Sequence, residues 1–433
     1  MSTPATTPPA RWPSAPASAS RWRSEGNSLL TNSTADEHRL DRFRQLWDEI
    51  APIGRDERSG GYLRYALTEP ELRLRQWFRA QAAERAMPVT DDGNGNLFAW
   101  WGDPDAGDAI LAGSHFDSVP HGGAYDGPLG IVSAFLAVDE LRAEGVTPVR
   151  PLAVAAFVEE EGARFGVPCL GSRLLTGALD VERAAGLRDA GGVSFAEALG
   201  DRPAGARPEL LGRFAAFVEL HVEQGRALVD QDAPVAVASA IWPHGRWRFD
   251  FTGEGNHAGT TRMADRRDPM LTYAFTVLAA NKEARLRGAH ATVGRVAVEP
   301  NATNAIPSRV TGWLDARAAE PETLSGMVDA VHGKAVERAR RDGTEVALTE
   351  ESATPLVAFD GGLADRLAGL LGAPVLPTGA GHDAGVLAAH VPTAMLFVRN
   401  PTGVSHSPAE SATDADCATG VTALARVLAE LLR

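Results

Sequence analysis

Short runs of apolar residues alternate with longer amphipathic stretches from about residue 38 to the end of the chain. Four such runs lie at 109–112, 152–158, 214–220 and 395–398. Each has the length of a buried strand, and the stretches between them, such as 131–142, have helical periodicity. This alternation predicts an α/β fold in which a mostly parallel sheet is covered by helices on both faces.

The segment from 244 to 352 has a different pattern. Polar and apolar residues alternate in two stretches, as in strands with one buried face, and two further stretches have the spacing of amphipathic helices. These predicted strands and helices lie at 246–251, 310–317, 270–286 and 322–341. We therefore predict a smaller inserted α+β domain at 244–352, within a main α/β domain formed by 38–243 and 353–433.

Residues 1–37 are rich in Ser, Thr, Ala and Pro and have almost no periodic apolar positions. A segment of this composition buries too little surface to offset its ordering entropy, so we predict a disordered tail. The tail also lacks the apolar core that a secretory signal contains.

Composition narrows the possible functions. The chain has 433 residues, with 42 basic and 56 acidic side chains and a net charge of −14. This acidic balance disfavours nucleic acid and membrane surfaces as partners, and no apolar run approaches the roughly 20 residues of a spanning helix. Cys169 and Cys417 are the only cysteines, which excludes a disulfide scaffold and indicates the reducing cytoplasm.

Residues that can bind metals collect directly after the predicted strands. They are His115, Asp117, Asp126, the acidic run 159–161, His221 and His406. Singly, each has an ordinary interpretation, because a lone His is usually structural and an acidic run is commonly a solvated turn. The carboxyl ends of parallel strands meet at one edge of a sheet, where open α/β folds bind their ligands. The combination therefore predicts a site at that edge.

The residue types indicate a metal site with a general base. Two imidazoles and a carboxylate suit Zn or Mn, and a carboxylate shared by two ions suits a binuclear centre. In the run 159–161, one Glu could bind metal while its neighbour acts as the base. Asp117 could orient His115, because it lies two residues further along the same extended chain. No His-Glu-x-x-His sequence occurs, so the single-zinc protease pattern is absent.

The inserted segment adds His257, Asn304 and Arg317, each near the end of a predicted strand. Such residues commonly belong to turns when they are considered one at a time. Arg is nevertheless suited to bidentate capture of a carboxylate. Together the three residues are candidates for binding an acidic substrate.

Seven motifs in this order carry a family resemblance. They are Gly-Ser-His-Phe-Asp-Ser-Val at 113–119, Gly-Gly-x-Tyr-Asp-Gly-x-Leu-Gly at 122–130, Glu-Glu-Gly-x-Arg-Phe at 160–165, Glu-Leu-His-Val-Glu-Gln-Gly at 219–225, Asn-His-Ala-Gly-Thr-Thr at 256–261, Gly-Ala-Gly-His-Asp-Ala at 379–384 and Ser-His-Ser-Pro-Ala-Glu at 405–410. The chain resembles the binuclear-metal amidohydrolases that include allantoate amidohydrolase and N-carbamoyl-L-amino acid hydrolase, within the wider aminoacylase and carboxypeptidase group. The resemblance extends from about residue 38 to the end.

The resemblance implies two divalent metal ions and their ligands. His115, Asp126 and His221 would hold one ion. Asp126, Glu161 and His406 would hold the other, so that Asp126 bridges the pair. Mn or Zn is expected first, and Co or Ni would suit the same nitrogen and oxygen ligands.

The resemblance also implies the remaining roles. Glu160 would be the general base, and Asp117 would orient the His115 side of the site. The residues expected to contact substrate are Gln224, His257, Asn304 and Arg317. His257 would also be catalytic, because it would help a metal ion to stabilise the developing oxyanion. The inserted domain would act as a lid and form a homodimer, with His257 reaching the partner's site. His382 and Asp383 match a family motif without an assigned role.

The predicted reaction is hydrolysis of the carbamoyl C–N bond of allantoate, with release of ammonia and carbon dioxide. An N-carbamoyl-L-amino acid, or another ureido or N-acyl amino acid, is the alternative substrate. A non-catalytic metal-binding or assembly protein would have lost a ligand or the base, and all are present. Two departures lie on the substrate side: Arg262 replaces the Pro of Thr-Thr-Pro-Met, and 241–248 differs from the usual Gly-x-x-Gln-Arg pattern.

Overall fold

The computed structural model describes residues 33–433, so the predicted tail lies outside the described residues as far as residue 32. A large sheet forms the centre of the molecule. Its strands are β1 (Val89–Asp91), β2 (Leu97–Trp101), β3 (Ala109–His115), β4 (Leu152–Phe157), β5 (Phe214–Val222), β6 (Val235–Ile241), β13 (Val357–Ala358), β14 (Val375–Thr378) and β15 (Thr393–Val398). The order is β1-β2-β4-β3-β5-β15-β6-β13, with β14 beside β6.

The four apolar runs of the sequence form the middle of this sheet. Strands β4, β3, β5 and β15 pair in parallel, whereas the β2–β4 and β15–β6 pairs are antiparallel. Every residue of β3, β4 and β15 is buried. Successive residues of β3 contribute to different core clusters on the two faces, as in a strand covered on both sides.

Helices cover both faces of the large sheet and one side of a second sheet. They are α1 (Ser33–Ile50), α2 (Glu69–Glu84), α3 (Pro128–Ala143), α4 (Leu170–Thr176), α5 (Val181–Gly186), α6 (Phe195–Leu199), α7 (Pro208–Leu211), α8 (Ala227–Asp230), α9 (Pro269–Arg287), α10 (Pro321–Asp342), α11 (Gly361–Leu371), α12 (Asp383–Leu387) and α13 (Asp414–Leu431). Among the helices of residues 33–433, none combines the length and apolar character needed to cross a membrane.

The segment predicted as an inserted domain supplies the second sheet. Its antiparallel strands are β7 (His244–Thr252), β9 (His290–Glu299), β11 (Arg309–Arg317) and β12 (Glu345–Thr354), in the order β12-β7-β11-β9. Trp247, Phe249 and Phe251 alternate with more exposed residues along β7 and pack in a core with α9 and α10. A two-residue pair, β8 (Asn256–His257) with β10 (Ala305–Ile306), extends from this unit. The predicted fold class, α/β with an inserted α+β domain, is confirmed.

Candidate metal centre

The candidate ligands converge at the carboxyl edge of the parallel strands. His115 is the last residue of β3, and Glu160 and Glu161 follow β4. His221 lies near the end of β5, level with Phe397 of β15. The loop after β15 carries His406 to the same place, within 3.5 Å of Glu161. The sheet topology therefore brings together ligands that are separated by about two thirds of the chain.

Two groups of ligand atoms share the carboxylate of Asp126. The Nε2 atoms of His115 and His221 lie 3.5 and 3.1 Å from Asp126 Oδ1. On the other side, His406 Nε2 lies 3.4 Å from Asp126 Oδ2 and 3.5 Å from Glu161 Oε2. The two groups coincide with the two ligand sets that the sequence predicts.

The orientation of the two buried imidazoles fits a metal ion. His115 Nδ1 lies 3.0 Å from the carbonyl oxygen of Asp117, and His221 Nδ1 lies 2.9 Å from that of Val222. Because a carbonyl only accepts, each Nδ1 carries a hydrogen, so Nε2 is the atom of each ring that can offer a lone pair to a metal ion once its proton has left. Both Nε2 atoms are buried and have no hydrogen-bond partner. A divalent cation would satisfy both atoms.

The loop that carries Asp126 is shaped by glycine and held by Glu410. Gly127 has φ of +87°, and a Cβ there would overlap the ring of His115. The Glu410 carboxylate accepts hydrogen bonds from the backbone N–H groups of Tyr125 and Asp126, at 2.8 and 3.0 Å. Glu410 was not predicted as a site residue, although its position in the 405–410 motif was a signal.

Glu160 stands beside the first ligand group. Its Oε2 lies 3.7 Å from His115 Nε2, and its Oε1 accepts from the Cys169 thiol at 3.6 Å. Glu159 adopts φ of +54°, a left-handed conformation that lets both following glutamates face the site. Burial raises the pKa of Glu160 well above its usual range, and the nearby Asp383 and Glu161 carboxylates add to this effect.

The site is a cluster of buried acids with imidazoles as the compensating cations. Burial raises the pKa of Glu161 to about 7, and the neighbouring Asp126 carboxylate contributes. The hydrogen bond to Asp126 raises the pKa of His406 to about 9. Burial opposes ionisation of Asp126, but His221, His115 and His406 hold its pKa well below the usual range. Divalent cations would replace protons as the compensating charge.

A second layer of polar groups lies behind His221. Glu219 accepts from Ser114 Oγ at 2.8 Å and from the backbone N–H of Ala384 at 3.1 Å. The His382 ring lies 4.5 Å from the ring of His221, and burial together with the charge of His221 lowers its pKa well below 6.5. Asp383 accepts from Ser172 Oγ at 2.5 Å. These contacts show that the 379–384 motif lines the back of the site.

Two of the predicted substrate residues contact either the metal centre or the loop that leads to it. Gln224 Nε2 donates to Asp126 Oδ2 at 2.6 Å. Arg317, the last residue of β11, donates from Nε and Nη2 to Asp315 at 2.9 and 3.2 Å. Its Nη1 donates to the carbonyl oxygen of Gly379 at 2.6 Å. Three of the five N–H donors are used, which leaves two for a ligand.

His257 and Asn304 lie elsewhere. They are side by side on the β8–β10 pair, where Ala258 N–H donates to the Asn304 carbonyl oxygen at 3.0 Å. Both are exposed. Within residues 33–433, no hydrogen bond or ion pair connects either side chain to the metal ligands. Arg262, the departure from the family motif, is exposed and pairs with Asp265 at 2.6 Å.

Grouped imidazoles and carboxylates that can bind divalent metal, with a further buried carboxylate beside them, form the arrangement of a metal-dependent hydrolase. Residues 111–430 match the profile of peptidase family M20/M25/M40, and the chain belongs to this family.

Known relatives support the same conclusion. The chain is 38% identical to the N-carbamoyl-L-amino acid amidohydrolase of Geobacillus stearothermophilus, over 88% of this chain and 96% of that protein. It is 32% identical to the allantoate amidohydrolase of Escherichia coli, over 90% of this chain and 99% of that protein. The crystal structure of a hydantoinase/carbamoylase family amidase from Burkholderia vietnamiensis superposes with a TM-score of 0.79 at 31% identity, covering 90% of this chain and 97% of that one. The predicted family is confirmed, and the chain is a hydrolytic enzyme that acts on amides.

Proposed function

We propose that this enzyme hydrolyses the carbamoyl C–N bond of a ureido group on a small carboxylate substrate. The observation that carries the proposal is the Asp126 carboxylate, whose two oxygens face two separate ligand groups. The buried Glu160 carboxylate lies next to them. This is the arrangement that water activation at a carbonyl carbon requires.

Five side chains would hold two divalent metal ions, with Asp126 common to both sites. The ligands are His115, Asp126 and His221 for one ion and Asp126, Glu161 and His406 for the other. Ions bound there would polarise the carbamoyl oxygen and make water more acidic. The donor set of nitrogen and oxygen suits Mn or Zn first, and also Co or Ni.

Glu160 would transfer a proton from the attacking water to the leaving nitrogen. As a carboxylate it accepts a proton from the attacking water, and it then returns this proton to the leaving nitrogen. The raised pKa of Glu160 helps the second step, because the carboxyl group holds the proton until the leaving nitrogen takes it. The products are the amine and carbamate, and carbamate decays to ammonia and carbon dioxide.

Arg317 would hold the substrate carboxylate. Its contacts with Asp315 and Gly379 fix the guanidinium and leave two N–H donors that can bind a carboxylate. Gln224 would contact the substrate close to the reacting carbon, because its amide already reaches Asp126. A carboxylate held at one end positions the ureido group for attack at the other.

Two substrates fit this chemistry. Allantoate is the substrate predicted first from the sequence, and the E. coli relative at 32% identity is named as an allantoate amidohydrolase. The 38% identity to an N-carbamoyl-L-amino acid amidohydrolase favours the alternative. Both molecules carry a carboxylate next to a carbamoyl nitrogen, so the metal ligands and Glu160 serve either one.

We also propose that the enzyme is a homodimer formed through the inserted domain. His257 and Asn304 are exposed within one chain, and a neighbouring protomer would bring them to its partner's substrate. The outer face of α9 carries an apolar stripe with Leu271, Leu278 and Leu286, which are 46%, 71% and 68% exposed. Such a stripe is typical of a surface that a partner covers.

We place the enzyme in the cytoplasm. Cys169 and Cys417 are both free and buried. Unpaired thiols are expected in a protein from a reducing compartment.

The proposal is tested by offering the purified enzyme, loaded with Mn or Zn, both allantoate and a panel of N-carbamoyl-L-amino acids. Release of ammonia with stoichiometric free amine, abolished by a chelator and restored by metal, is the expected result. Turnover of simple peptides with no release from any ureido substrate would overturn it.

A further inference from the structure

Trp242 has none of the roles assigned above, although it lies close to residues that have them. It lies in the short connection between β6 and β7, within the 241–248 segment that departs from the family pattern. Its side chain is half-buried, and its backbone N–H donates to the carbonyl oxygen of Thr378 at 2.8 Å. The indole therefore lies where the inserted domain joins the main domain.

The register of the second sheet brings Trp242 close to Arg317. His290 is the residue directly opposite Arg317 on β9. Side chains of directly opposed residues share one face of a sheet, with their Cβ atoms about 5 Å apart. The Trp242 ring packs against the His290 ring at a centroid distance of 5.5 Å. One imidazole thus separates the indole from the guanidinium.

The contacts of the loop after β14 also show that Trp242 lies close to Arg317. Gly379 accepts the hydrogen bond from Arg317 Nη1 at 2.6 Å. A Cβ on Gly379 would lie 3.8 Å from Cε3 of Trp242, so the indole borders this residue too. The loop sequence is Gly-Ala-Gly, and a Cβ on Gly381 would meet nothing within 4 Å. The loop therefore borders the indole at Gly379 and is open at Gly381.

The same loop leads to the metal centre. His382 follows it directly, and its ring lies 4.5 Å from the metal-ligand candidate His221. Three residues of chain, at most about 10 Å, connect Gly379 to His382. A small substrate whose carboxylate is held by Arg317 would reach the metals along this loop, and a substituent on its α-carbon would meet Trp242.

We propose that Trp242, His290 and the loop 379–381 form a subsite for a large apolar or aromatic side chain on the carbon that bears the substrate carboxylate. The inference rests on the proposed function and selects between its two substrates. An N-carbamoyl-L-amino acid with an aromatic side chain offers a ring that can pack on the indole. Allantoate carries a second, polar ureido group on that carbon and gains less from an aromatic wall.

The test compares kcat and KM for N-carbamoyl-L-phenylalanine, N-carbamoylglycine and allantoate in the metal-loaded enzyme. The unchanged enzyme is expected to favour the phenylalanine substrate over the glycine substrate by about tenfold or more in kcat/KM. Trp242→Ala should remove this preference, mainly by raising KM for the phenylalanine substrate. Trp242→Phe should retain most of it, because an aromatic face remains.

Trp313→Ala is the matched control, since Trp313 lies on β11 of the same domain under Arg295 and belongs to no assigned site. It should leave the preference unchanged. The subsite is overturned if Trp242→Ala lowers kcat/KM for all three substrates alike, or if allantoate is the best substrate of the unchanged enzyme. Failure of the proposed function gives a different result, because no ureido substrate would then react at all.

Discussion

Asp117 Oδ1 accepts a hydrogen bond from the backbone N–H of Glu160 over 3.1 Å. The other oxygen accepts from Glu161 N–H at 3.0 Å, while the carbonyl of Asp117 faces His115 Nδ1 at 3.0 Å. A single residue thus joins the loop after β3 to the loop after β4. The positions of the first imidazole ligand, the base and the second carboxylate ligand depend on one another through it.

This arrangement separates the roles of two adjacent glutamates. Glu160→Gln should retain bound metal and lower kcat by about 10²- to 10⁴-fold, because the amide cannot take a proton. Glu161→Gln is the matched control and should lose metal instead, since it contacts His406 across the second ligand group. Steady-state kinetics together with metal analysis of each variant measure both effects. Turnover that survives in Glu160→Gln would contradict the assignment of the base.

Arg317→Ala should raise KM for carboxylate substrates by roughly 10- to 100-fold with a smaller effect on kcat, because a charge-assisted pair is lost. Arg246→Ala is the control, as Arg246 is more exposed and reaches the same Asp315 at 3.6 Å. KM values for a substrate and for its carboxamide analogue make the comparison. If Arg317→Ala raises KM for the carboxamide as much as for the acid, Arg317 does not bind the carboxylate.

Metal uptake should release protons and strengthen with pH. The pKa of His406 is raised to about 9 by its hydrogen bond to Asp126, and burial raises that of Glu161 to about 7. Both groups hold protons below these values, and a metal must displace them. The apparent affinity should therefore rise most steeply below about pH 7, where both protons must leave, less steeply between about pH 7 and 9, and level off above about pH 9.

Calorimetric titrations in buffers of different ionisation enthalpy would count the protons released. The exposed His121 lies 3.5 Å from Asp56 and offers a control. His121→Asn should leave the pH dependence unchanged. An affinity that does not vary with pH over this range would refute the prediction.

Mixing two inactive variants should restore activity if His257 serves the partner's site. A homodimer formed from His257→Ala and Glu160→Gln protomers would contain one complete site, made of an intact base from one chain and an intact His257 from the other. The expected result is recovery of a fraction of the original kcat after the proteins are mixed under exchange conditions. Each variant alone, and the mixture before exchange, are the controls. No recovery despite demonstrated subunit exchange would rule out the shared site.

Much of the fold was predictable because its signals are local. The run 152–158 is apolar at every position, and a strand buried on both faces requires that composition. The alternation at 246–251 identified β7 because one face of that strand packs on α9 and α10. The short edge strands β13 and β14 were not predicted, because partial burial leaves little periodicity to detect.

The residues of the candidate site were predictable from the sequence, but their geometry was not. Strand ends with His, Asp and Glu signalled the ligands, yet nothing local indicates that Asp126 presents one oxygen to each group. Glu410 and Glu219 were missed because they act on backbone N–H groups and hydroxyls, and such contacts depend on the assembled fold. The exposure of His257 also became apparent only from the arrangement of the β8–β10 pair.

The position of β15 has a consequence for the timing of activity in the cell. This strand fills the gap between β5 and β6, and His406 follows it just before α13. A growing polypeptide on the ribosome lacks both until residue 406 has been added. With His406 as a proposed metal ligand, the enzyme is inactive before that point, and any product of premature termination upstream of residue 406 stays inactive.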